Sequence, residues 1–193
     1  MFYIFLILCS ISFLLIYKLY FKVDLFIILG YLFIIIISII LYYYLNILDV
    51  LFYYFIFSFL YLSFVLDLKE YWIADLTIIS VMFLNIIRMI LYYLNYNKIN
   101  FDGTIFIFLF IFIILLVESI FKKELIGFGD LKLFFVFSIN KTLIHNTYLL
   151  LFSSIIGIIF CMFLYKKKMI PFGPSIMISY VFLEFLSKYI VEI

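Results

Sequence analysis

The chain has 193 residues, of which 70% are apolar, 24% aromatic and only 12% charged, with a net charge of +2. A soluble domain carries about a quarter of charged residues and could not bury this much apolar surface, so a water-soluble globular fold is excluded. Apolar runs of roughly 18 residues or more recur along the chain and predict an all-α, polytopic transmembrane bundle.

Breaks in hydrophobicity place spans at 2–17, 25–46, 48–66, 74–95, 104–121, 129–140, 146–165 and 173–191, about eight in all. The first, MFYIFLILCSISFLLIY, lacks a basic leading region and an A-x-A-like cleavage site, so it reads as a retained span. Cys9 and Cys161, the only cysteines, both lie inside apolar helices. That excludes a cysteine-rich zinc module and argues against a structural disulfide. The connections are a few residues long, which makes neighbouring helices antiparallel. The chain thus reads as one integral membrane domain (1–193), with two N-terminal helices (1–47) ahead of a six-helix core (48–193).

Lysine and arginine assign the sides. One set of loops collects Lys18, Lys22, Lys69, Lys122, Lys123, Lys132 and Lys166–Lys168; the other collects Lys98, Lys141 and Lys188, with Arg88 nearer that side. The positive-inside rule then puts the first set in the cytoplasm and both termini outside. The Lys166–Lys168 triplet is too short to suggest nucleic acid.

The unusual residues fall on the predicted cytoplasmic side. Gly127, Gly129 and Gly173, with both prolines, Pro171 and Pro174, lie in ELIGFGDLK and KKKMIPFGPS. Glycine admits a positive φ or a close neighbour, and proline fixes φ, so these read as shaped loops. A third connection, VLDLKEYWIADLTII, carries Asp67 at the end of one helix and Asp75 at the start of the next. Asp75 is expected to cap its helix. Asp67 gains nothing as a cap, because the macrodipole disfavours negative charge at a helix C-terminus. A carboxylate at the membrane boundary is costly unless it is solvated, paired or functional. Asp67 and Asp130 are expected on one side at similar depth. Packed together, they would form a pair in which one carboxylate activates water and the other, protonated, polarises a carbonyl, as in peptide hydrolysis.

These residues carry a resemblance. GFGDLKL (127–133) resembles the G-x-G-D-x-K-L signature of type IV prepilin peptidases, which are membrane-embedded aspartyl proteases. DLKEYWIADLTI (67–78) is similar to that family's D-L-x-x-x-x-I-P-D/N-x-L-T signature, and IPFGPSI (170–176) to its P-F-G-P-x-L segment. The resemblance implies Asp67 and Asp130 as the catalytic pair of a six-helix peptidase core. It implies removal of the short basic leader of a type IV prepilin or pseudopilin at the cytoplasmic face of the inner membrane, usually after a glycine, with no metal or organic cofactor. Lys132 falls on the motif lysine and is read either as electrostatic support of the site or as a topology signal. The chain departs from the pattern at Ala74, where the family has proline, and at Phe134, Phe135 and Phe137, where small residues are common. The interval YKLYFKVD (17–24) has no cysteine, so the methylation linked to paired Cys-x-x-Cys motifs in larger members is not expected. Presenilin-like proteases share G-x-G-D, but their tyrosine–aspartate and P-A-L motifs are missing here.

Other polar residues receive plainer readings. Arg88 and Glu184, each deep in a helix, are expected to pair with each other. Glu118 is expected to contact Lys122 at i,i+4, and His145 reads as a loop residue. Ser63, Ser153 and Ser154 lack a base for serine chemistry. The rival to a peptidase is a non-catalytic membrane scaffold, or a small transporter, which would place facing acids and broken helices at mid-membrane.

Overall fold

The computed structural model describes residues 25–42, 45–70, 73–163 and 172–190, together with positions 7, 9–11, 14 and 18. Those isolated N-terminal positions are all helical, and the label α1 is kept for them alone. The helices that follow are α2 (Leu25–Tyr42), α3 (Ile47–Glu70), α4 (Asp75–Tyr96), α5 (Asp102–Phe121), α6 (Phe128–Ser138), α7 (Leu143–Phe163) and α8 (Gly173–Ile190). No strand occurs among the described residues. Lys22, Lys166–Lys168 and Pro171 lie outside them.

Four of these helices are long and apolar enough to cross a membrane: Ile47–Glu70, Asp75–Tyr96, Asp102–Phe121 and Leu143–Met162. At 24 residues α3 is about 36 Å long, beyond the roughly 30 Å of a hydrocarbon core. The expectation of eight spans is therefore met only in part. Ile27–Tyr42 and Gly173–Leu186 are shorter apolar stretches. With 11 residues α6 extends about 16 Å, half of a bilayer core, and ends at Ser138 rather than residue 140. Its end is held from the side, since the Thr104 hydroxyl donates to the Ser138 carbonyl at 2.9 Å.

The bundle is built around α3, which is buried from Val50 to Asp67 and packs against α2, α4 and α8. In turn α8 packs against α3, α6 and α7, and α4 against α3 and α6. Small residues let these helices approach, as expected where lipid offers no hydrophobic drive between spans. The Tyr61 ring lies over Gly30, and the Phe172 ring over Gly157. Between α6 and α8, Phe137 stacks on Tyr180 with ring centroids 4.1 Å apart. Polar ties cross the bundle as well. The Ser63 and Thr77 hydroxyls share a hydrogen bond between α3 and α4, and Asn85 Nδ2 donates to the Val136 carbonyl at 3.1 Å between α4 and α6.

Large apolar side chains outside this core, among them Phe108, Phe112 and Ile113 on α5, are exposed where lipid would contact them. That distribution explains how a chain so rich in apolar residues holds so few of them in its core. Cys9 and Cys161 are both free.

Candidate active site

Asp67 and Asp130 meet. The helix α3 runs on to Glu70, past the expected end at Leu66, and carries Asp67 in its last turn, only 5% exposed. Asp130 is half-buried in the first turn of α6, where its backbone N–H donates to the Gly127 carbonyl at 2.9 Å. The gauge of their proximity is Gly173. The position a Cβ would take there lies 2.5 Å from Asp67 Oδ2 and 3.4 Å from Asp130 Oδ1. The two carboxyl oxygens are thus within about 6 Å of each other, close enough for their charges to interact strongly.

The local fields are asymmetric. Asp130 stands at the N-terminus of α6, where the macrodipole favours an anion. Asp67 sits at the unfavourable end of α3, but the N-terminus of α8 is turned toward it, and the Gly173 N–H donates to its carboxylate. Among the described residues Asp67 Oδ2 is buried without a hydrogen-bond partner. A buried carboxylate oxygen left open in this way is available to a reacting group.

The glycines serve space rather than backbone angle. No described glycine has a positive φ; that conformation belongs to Asn97, Lys122 and Asn140. A Cβ on Gly127 would come 3.2 Å from Asp130 Oδ2. On Gly129 it would meet Ile73 Cδ1 at 3.3 Å, and on Gly173 the same atom at 2.9 Å. Ile73, 8% exposed, therefore stands between the N-termini of α6 and α8, beside both carboxylates. No role was expected for it, although it occupies the isoleucine of the D-L-x-x-x-x-I-P-D/N pattern. Pro174, buried in the first turn of α8, stands where a missing N–H costs no helical bond.

Two expectations at this end of the bundle need correction. Asp75 is not the cap of α4. Ala74 holds that position without a side-chain cap bond, and Asp75 is the first helical residue. Its carboxylate pairs with Lys132 Nζ at 2.5 Å, with side-chain exposures of 65% and 35%. Lys132 therefore reaches across to the start of α4. Glu118 does not depend on Lys122, either. Its Oε1 accepts the backbone N–H groups of Leu125 and Ile126 at 2.8 and 3.1 Å, anchoring the loop that leads into GFGD.

At the other end of the bundle the expected pairing of Arg88 with Glu184 is present at 3.3 Å. It belongs to a larger network. Glu184, 2% exposed, also takes an ion pair from Lys141. The Tyr53 hydroxyl donates to it at 2.9 Å, and the Arg88 guanidinium lies 4.5 Å over the Tyr53 ring. Tyr53 is about 21 Å along α3 from Asp67, so this network and the aspartates do not touch. His145 lies inside α7, not in a loop. No cluster of three or more His, Cys, Asp or Glu side chains suited to a metal occurs among the described residues.

No curated protein and no solved structure matches this chain. A family model does, that of the type IV leader peptidase family, over residues 54–162. The matched region covers more than half of the chain and takes in Asp67, Ile73, Asp75, Glu118 and the GFGD turn. An all-helical membrane protein with two aspartates brought together by glycine-lined helix ends, matched over that region, belongs to the type IV leader peptidase family.

Proposed function

We propose that this chain is an aspartyl endopeptidase that removes the short basic leader of a type IV prepilin-like protein, with Asp67 and Asp130 as its catalytic pair. The observation that carries the reading is the approach of both carboxylates to one point beside Gly173, 2.5 and 3.4 Å away.

Two carboxylates so close hold one proton between them, because both cannot readily ionise. The ionised member takes a proton from water, and the water oxygen bonds to the carbonyl carbon of the scissile peptide. The protonated member donates to the carbonyl oxygen. Collapse of the tetrahedral intermediate breaks the C–N bond, the leaving nitrogen takes up a proton, and the pair returns to its singly protonated state. The glycines at 127, 129 and 173 keep side chains off the approach to the carboxylates. Attack takes place at the predicted cytoplasmic edge of the inner membrane, where water and a basic leader are both at hand, and the apolar stem of the substrate stays in the bilayer.

The test is cleavage of a prepilin-like protein in membranes by the wild type, Asp67→Asn, Asp130→Asn and, as control, Asp102→Asn at the far end of α5. The reading expects no cleavage from either of the first two and wild-type cleavage from the control. Product from a chain lacking either aspartate would return the protein to the scaffold class.

A further inference from the structure

We infer that Asp75 and Lys132 form a positioning pair that sets the rotation of α6, and with it the place of Asp130 against Asp67. The inference rests on the peptidase reading for its consequence, but its geometric content stands apart from it.

Asp130 and Lys132 are separated by two residues of one helix, so they point about 200° apart around its axis. Asp130 faces the gap between α3 and α8. Lys132 faces α4 and reaches Asp75, 57 positions away in sequence, at 2.5 Å. Its ammonium also lies 5.0 Å over the Phe128 ring, one turn earlier on α6. A contact on the far side of so short a helix acts as an outrigger. If α6 rolls about its axis, Asp130 and Lys132 move in opposite directions, and holding one fixes the other.

The anchor is well placed. Asp75 is the first residue of α4 and follows directly on Ile73 and Ala74. Ile73 in turn lies against Gly129 and Gly173. The ion pair therefore ties the start of α4, the side chain wedged between the two helix ends, and the helix of Asp130 into one unit.

Its energetics separate positioning from folding. An exposed ion pair contributes little to stability. Farther along, α6 is held to α4 independently by the hydrogen bond from Asn85 to the Val136 carbonyl, and it buries Leu131, Leu133, Phe134, Val136 and Phe137. Breaking the pair leaves a folded bundle in which the first turn of α6, which carries Asp130 ahead of these anchors, can roll. Misplacement of a reacting group by an ångström costs on the order of a hundredfold in rate.

The experiment has two arms on the full-length protein. In the first, kcat, KM and thermal midpoint are measured in detergent for the wild type, Asp75→Asn, Lys132→Gln, both together, and the exchanged pair Asp75→Lys with Lys132→Asp. The expected result is a kcat lowered about tenfold to a hundredfold in each single variant. KM and the midpoint are little changed, the double variant is no worse than either single, and the exchange recovers kcat. In the second arm, a chain with Cys9→Ser and Cys161→Ser carries Asp67→Cys and Asp130→Cys, and oxidative cross-linking between those positions is timed with and without Lys132→Gln. The expected result is cross-linking slowed several-fold by Lys132→Gln.

Unchanged cross-linking overturns the inference, as do single-variant losses that multiply in the double variant or fail to recover on exchange. A wild type that cleaves nothing while cross-linking still depends on Lys132 overturns the peptidase reading and leaves the positioning pair standing.

Discussion

Gly173 stands so close to Asp67 that a single added methyl group would lie 2.5 Å from Asp67 Oδ2, well inside contact distance. The same group would press on Ile73 Cδ1 at 2.9 Å. Neither neighbour has room to withdraw, since Asp67 is 5% and Ile73 8% exposed. Gly173→Ala is expected to lower cleavage by at least about a hundredfold, because the clash moves Asp67, a member of the proposed catalytic pair. Overpacking should also cost about 1–3 kcal/mol of stability. Gly127→Ala is the milder counterpart, since its Cβ would stand 3.2 Å from Asp130 Oδ2 in an exposed turn. Rate and melting measurements on both variants check the order, and equal losses would contradict it.

Glu118 offers a second, local prediction. It holds two backbone N–H groups of the segment before GFGD, seven and eight residues ahead of it. The side chain is half-buried and its hydrogen bonds contribute about 1 kcal/mol each, so Glu118→Ala should cost about 1–2 kcal/mol overall. The loop, however, loses its only described side-chain anchor to Leu125 and Ile126. Amide exchange at those two residues should rise sharply in the variant, with cleavage falling several-fold. Protection that stays at wild-type level would show that the loop holds its shape without Glu118.

Much of this was legible in the sequence, and the part that was not has a physical pattern. Helix positions follow from apolar runs, and side and depth leave Asp67 and Asp130 able to meet, but only the packing of α3, α6 and α8 brings them to one point. The pairing of Arg88 with Glu184 follows from the cost of an isolated charge in a span. What failed was the identity of partners on different helices. Sequence spacing proposes only local partners, a cap for Asp75 and an i,i+4 contact for Glu118. The actual partners are Lys132, across the bundle, and the backbone of a loop. Charge counting by loop gives Lys141 no partner, and the fold closes it on Glu184. For the glycines the sequence leaves two readings, a positive φ or a close neighbour; the left-handed turns belong to Asn97, Lys122 and Asn140, and the glycines provide room at helix ends. Space beside a neighbour exists only once the neighbour is packed.

The network around Glu184 predicts a stability effect without a catalytic one. Glu184→Gln keeps the side-chain shape but leaves Arg88 and Lys141 facing a neutral group in a buried site. Removing one partner of a buried ionic cluster costs about 3–5 kcal/mol, mostly through the charges left behind. Glu184 lies about 16 Å along α8 from Gly173, so cleavage per folded molecule should stay within a few-fold of wild type. Unfolding in mixed micelles and rates normalised to folded protein check both parts. Adding Lys141→Met should restore part of the loss, because it removes one of the stranded charges.

The proposed pairing of Asp67 with Asp130 in catalysis predicts the form of the pH dependence. In that mechanism one carboxylate is ionised to accept a proton from water and the other is protonated to donate to the carbonyl oxygen. At low pH both are protonated and no base remains; at high pH both are ionised and no acid remains. The competent, singly protonated pair is populated only between these limits. A plot of kcat/KM should therefore be a bell, with each limb falling about tenfold per pH unit. The alternative, a single ionised aspartate working with a neutral partner, gives one rising limb and a plateau. Measured in proteoliposomes with substrate far below KM, a plateau persisting to alkaline pH would remove the acid from the mechanism. A bell would assign both protonation states to the pair, whose oxygens are the carboxylate atoms nearest the point beside Gly173.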